Sequence, residues 1–180
     1  MSKQTIILIL IAILIAVMLL FNKKVNLIRL FIKQLQVFRN DHTGKFSFWD
    51  LMCFIVFPIF IAVLIVCGLQ YHIDPKLAEI LTTVFSLVFT ILFGFAAVIV
   101  EQSGSNNSKR KEVIGEAFVS IVTSTVLSLL AAIISILLIK ATTTLLVSIL
   151  SIILFSLSIS ITMLLLMITK RTFVIYCEDK

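Results

Sequence analysis

Charge is what this chain has least of. Asp, Glu, Lys and Arg together supply 13% of its 180 residues, about half the usual share of a soluble domain. With 61% hydrophobic residues and a mean hydropathy of +1.21, too little polar sequence remains for a separate soluble domain. The whole chain, residues 1–180, therefore reads as one integral membrane domain. Cysteine is scarce too. Cys53, Cys67 and Cys177 form no CxxC pair and adjoin no histidine, which excludes a sequence-evident zinc site or disulfide framework. Cys53 and Cys67 read as small apolar packing residues, and Cys177, in the polar tail, is a position where lipidation at the membrane surface is conceivable. The third scarcity is inside the apolar runs, where no Asp, Glu, Lys, Arg or His lies deep. Proton relays and buried ion pairs of the kind used by many pumps and coupled carriers thus have no candidates.

Present instead are uncharged runs long enough for a hydrocarbon layer about 30 Å thick. Five are predicted to be spans: 5–21, 51–69, 81–100, 118–139 and 143–168. The first is longer than a typical signal-peptide core, no small-x-small site follows it, and Asn22-Lys23-Lys24 reads as a membrane exit; it is expected to be a retained helix. The fold class is thus all-α, a polytopic membrane helix bundle of about five transmembrane helices. Twelve of the 15 basic residues fall on one side of this arrangement. The positive-inside rule then orients the chain, in a bacterial inner membrane, with its N-terminus outside and its C-terminus cytoplasmic. The same rule accounts for the net charge of +6, and with no recognised fold or aromatic platform beside it the charge does not point to nucleic acid.

Between the first two spans, residues 23–39 keep a helical period. Ile28, Phe31, Leu35 and Phe38 share one face, with Asn26, Arg29, Lys33 and Gln36 on the other. An amphipathic helix is predicted, lying in the inner headgroup layer or continuing the first span into the cytoplasm. Lys23, Lys24, Arg29 and Lys33, with Lys109, Arg110 and Lys111 of the next inner segment, form a basic inner surface. It suits anionic lipid or a cytosolic protein partner.

A polar island, QVFRNDHTGKFSFWD (36–50), follows. Thr43-Gly44-Lys45 lacks the first glycine and the trailing Ser or Thr of a phosphate-binding loop. Asp41 and His42 are adjacent and have no nucleophile beside them in sequence. The island reads as a hinge, with Phe46, Phe48 and Trp49 as an aromatic belt at re-entry. A binding role for Asp41, His42 or Asp50 is the alternative.

Within the spans, Thr82, Ser86, Thr90 and Gly94 recur every fourth residue, as do Ser120, Ser124 and Ser128. Ser151, Ser158 and Thr162 share a face of the last span. Such stripes admit close helix packing, and a hydroxyl-lined conduction path is the sharper reading of the same pattern. Pro58 is expected to disturb the second span, its freed carbonyl satisfied by a neighbouring helix. The predicted outer loops are short, so any partner is expected inside the cell.

The small size, the scant outer sequence and the RNDHTGKFSFWD hinge (39–50) leading into a span together resemble membrane components of anti-phage defence operons, above all the membrane subunit of the Kiwa system. The resemblance implies a membrane-embedded homo-oligomer that senses infection and works with a cytosolic effector. Three other functions compete with it: a pore-forming effector that depolarises the membrane, an intramembrane enzyme built on Asp41, His42 and Asp50, and a small-solute carrier. With no catalytic signature and no cofactor- or metal-binding pattern, a non-enzymatic membrane subunit is the reading carried forward.

Overall fold

The computed structural model describes residues 10, 27–37, 52–102, 108–141 and 143–178. These residues are helical apart from short connections, with no strand among them. In chain order the helices are α1 (Leu27–Val37), α2 (Met52–Gly68), α3 (Pro75–Gln102), α4 (Ser108–Ile139) and α5 (Thr144–Glu178). Three of them, α3, α4 and α5, contain stretches long and apolar enough to cross a membrane. The predicted first span, apart from Leu10, and the whole of the 38–51 hinge lie outside the described residues.

The uncharged runs locate the spans but understate the helices. The third helix begins at Pro75 rather than 81, and the last continues to Glu178 rather than 168. Loss of charge marks hydrocarbon, whereas the backbone hydrogen-bond ladder continues for as long as nothing breaks it. At 1.5 Å per residue, the 35 residues of α5 measure about 52 Å, more than the roughly 40–45 Å of a bilayer with its headgroups.

The second helix is the reverse case. Its 17 described residues reach about 25 Å at α-helical rise, short of a 30 Å core. Both of its ends are π-helical, Met52–Val56 and Leu64–Gly68, around an α-helical centre. Pro58 near the start of that centre has no N–H to give to the carbonyl four residues back. That carbonyl belongs to Phe54, and it accepts a hydrogen bond from the Ser160 hydroxyl of α5 at 3.4 Å. A neighbouring helix therefore serves the group that proline leaves, as the sequence predicts. Pro58, Ala62 and Val66 are buried on the face that packs against α5.

After α2 the chain turns on Gln70, a non-glycine residue at φ 53°, and Tyr71 N–H returns to the Ile65 carbonyl at 3.3 Å. Glycine is the usual residue there, because a Cβ disfavours the left-handed region. Gln70→Gly is expected to leave stability unchanged or raise it by up to about 1 kcal/mol, read from unfolding midpoints in mixed micelles. The loop then folds onto α5. Ile73 N–H donates to Ser151 Oγ at 3.2 Å, the Tyr71 and Phe155 rings lie 6.3 Å apart, and the Asp74 carbonyl accepts from Ala78 N–H at the start of α3.

The centre of the bundle is α4. It packs against α1, α3 and α5, and 56% of its most apolar window is buried, against 11% for α3 and 22% for α5. Ile114, Ala117, Ile121, Ser124, Ser128, Ala131, Ser135 and Leu138 are all buried, at alternating steps of three and four. That is a heptad seam filled mainly with small residues. Lipid gives helices no hydrophobic reason to associate, so close backbone approach and dispersion hold such a seam together. Leu127 of α4 itself, Phe85 of α3, and Leu154, Ile161 and Leu164 of α5 complete the core.

Candidate functional site

The two small-residue stripes predicted from sequence end in opposite places. Ser120, Ser124 and Ser128 are fully buried in α4. Each hydroxyl is satisfied on its own helix: Ser120 on the Glu116 carbonyl, Ser124 on that of Ser120, and Ser128 on that of Thr125, at 2.8–2.9 Å. A hydroxyl bonded to its own backbone is compact and adds little polarity to its surroundings. The α4 stripe therefore acts as a packing seam inside the chain.

The stripe on α3 leaves the core. Its packing positions are Ala78, Phe85 and Leu92, seven apart, a spacing that nearly repeats direction at 100° per residue. Steps of four advance about 40° each. The stripe thus winds from half-buried Thr82 to exposed Ser86, Thr90 and Gly94, and Gly94 points about 180° away from Phe85. A Cβ built on Gly94 would meet nothing within 4 Å. Around it, Ile91, Phe93, Phe95 and Val98 are exposed, and Ile91, Phe95 and Val98 also line a cavity of about 670 Å³ that α3 shares with α4 and α5. On α5, Ser151 is buried, Ser158 half-buried and Thr162 exposed; these three do not form one buried face.

At the end of the bundle where α4 begins and α5 finishes, Arg171 Nη1 and Glu116 Oε2 form an ion pair at 2.6 Å. The side chains are 18% and 26% exposed, so the pair is shielded but not sealed. Glu116→Gln is expected to cost about 1–2 kcal/mol, between the values for exposed and fully buried pairs. Detergent unfolding curves at matched salt would measure it.

Of the predicted basic surface, Arg29 and Lys33 are exposed on α1, while Lys23 and Lys24 lie outside the described residues. Lys109, Arg110 and Lys111 occupy the first turn of α4. Asp41, His42 and Asp50 also lie outside the described residues. Among the described residues no group of three or more His, Cys, Asp or Glu could hold a metal ion.

One residue that the sequence reading passed over is Gln34. It sits three residues after Phe31 and seven after Leu27, on the inward stripe of α1, and is buried with them against α4. An isolated amphipathic helix would turn Gln34 outward; α1 buries it beside a cavity of about 330 Å³ shared with α2, α4 and α5. The signal was its heptad spacing from Leu27, masked by the polar residue type.

This architecture defines an all-α membrane-type bundle. No protein-family model, curated protein or solved structure matches the chain.

Proposed function

We propose that this chain is a non-enzymatic, multi-pass subunit of a bacterial inner membrane that self-associates and couples the membrane to a cytosolic protein partner, as a sensor in anti-phage defence. The observation that carries it is the outward position of Ser86, Thr90 and Gly94 on α3. Small residues on a spanning helix are of most use where another backbone approaches, and no helix among the described residues of this chain approaches them. The basic run of Lys109, Arg110 and Lys111 supports docking of an acidic partner or anionic lipid on the inner side. The defence role rests on the resemblance of the 39–50 hinge and the overall organisation to the Kiwa membrane subunit. The orientation, with the N-terminus outside and the C-terminus cytoplasmic, rests on the distribution of basic residues.

A C-terminally tagged copy extracted from its native host in mild detergent is expected to retain a cytosolic protein. Reversing the basic turn (Lys109→Glu, Arg110→Glu, Lys111→Glu) is expected to release it. Retention unchanged by the reversal would refute a docking role for this turn.

A second reading, a depolarising pore, draws on the exposed Ser86 and Thr90 hydroxyls, which a ring of copies could turn toward a lumen. Both donate to their own helix, to the Thr82 and Ser86 carbonyls at 2.8 and 2.9 Å, leaving only acceptor capacity for ions. Ion flux across liposomes carrying the purified protein separates the two readings.

A further inference from the structure

The cavity beside Gln34 combines two features rarely left together. Its walls are mostly apolar, with Phe31 and Leu35 of α1, Phe54 and Ile59 of α2, and Leu127 of α4 among them. Yet Gln34 is only 5% exposed, and neither its carboxamide nitrogen nor its oxygen has a hydrogen-bond partner among the described residues. Leaving such a group buried and unpaired is costly, because the water it gave up is not replaced. No hydroxyl of the lining relieves it: Thr123 donates to the Val119 carbonyl and Ser160 to that of Phe54, and none of Thr123, Ser156 and Ser160 bonds to the carboxamide. A carboxamide both donates and accepts, so a partner that does the same would satisfy it best.

The lining of the cavity restricts the partner further. Among the described residues that line it none is charged, so nothing there would offset the charge of an ionised head group. Exposed Ile55 and Ile59 at its rim leave the opening apolar. A volume of about 330 Å³ falls at the small end of the roughly 300–1,000 Å³ of ligand sites, which suits one chain rather than a two-chain lipid.

We infer that this cavity is a binding site for an uncharged single-chain lipid whose head group both donates and accepts a hydrogen bond, with Gln34 as its polar anchor. A protonated fatty acid and a monoacylglycerol share this chemistry. The site shares no residue with the outward stripe of α3, and its occupancy does not depend on self-association.

The test uses the full chain in phosphatidylcholine vesicles with three photoactivatable probes, each carrying a diazirine in the acyl chain: a fatty acid, a monoacylglycerol and a diacyl phosphatidylcholine. Adducts of one or both single-chain probes are expected on Phe31, Phe54, Ile59 and Leu127, and which probe labels identifies the source. Gln34→Leu is expected to reduce this labelling about tenfold while leaving the probe-free unfolding midpoint unchanged or higher, since it removes an unpaired buried group. Leu127→Trp, which fills the cavity and keeps Gln34, is expected to abolish the labelling and provides a second variant should the first misfold. Single-chain adducts spread evenly over the exposed faces of α3 and α5, labelling indifferent to both substitutions, or equal labelling of the cavity by the diacyl probe would each overturn the assignment.

Discussion

Ala131→Leu is expected to be the most damaging conservative apolar change in this chain, costing about 3 kcal/mol. Ala131 has no exposed surface and lies in the heptad seam of α4, where α3 and α5 close from either side. Three added carbons at a close-packed position force side chains off their rotamers or move a helix, and such overpacking typically costs 1–3 kcal/mol. A seam of Ala and Ser has little slack, because its stability comes from contact distance rather than from expelling water. Ala97→Leu on α3 makes the same chemical change at an exposed position and is expected to stay within about 0.5 kcal/mol. Reversible unfolding in mixed micelles compares the two directly. Equal tolerance at 131 and 97 would show that α4 is not the centre of packing.

Gly94→Leu is expected to do the opposite. The fold of the single chain should survive, because a Cβ at Gly94 meets nothing within 4 Å. Self-association should weaken by about tenfold or more, equivalent to 1.4 kcal/mol, because a leucine there holds a second backbone away from the small residues Ser86, Thr90 and Gly94. Thr90→Leu is expected to act in the same direction. The informative readout is the mass in detergent at high concentration together with the unfolding midpoint at a dilution where both proteins are monomeric, because association itself raises the midpoint. A lower mass with an unchanged monomer midpoint supports an interface on α3; a lower monomer midpoint would mean that Gly94 is needed inside the chain.

These contrasting outcomes show how much of the architecture is legible in sequence. Uncharged runs mark where hydrocarbon is, so the cores of α3, α4 and α5 follow from residue type alone. Helix ends do not follow, since the chain remains helical through Lys170 and Arg171 and already from Pro75. The four-residue spacing on α3 and on α4 looks equivalent in one dimension. Only the packing positions Ala78, Phe85 and Leu92 reveal that one stripe winds outward while the other lies on a buried seam. Ala117, Ala131 and Ser135 belong to that seam as much as Ser124 does, yet a search for hydroxyls at strict fourth positions passes them by. The Glu116–Arg171 pair joins residues 55 apart in the sequence, and no local pattern anticipates it. Gln34 is the instructive miss, since residue type points to solvent and spacing points inward, and spacing prevails. The effect of Pro58 could be anticipated because proline chemistry is local, and Ser160 occupies the place that a compensating donor must take.

The most direct test of the account is the mass and composition of the complex that a tagged wild-type chain forms when taken from its native membrane in mild detergent. The account predicts a multiple of the 20.2 kDa chain, at least two copies, with a cytosolic protein attached. A monodisperse single chain of 20.2 kDa with nothing bound would contradict it.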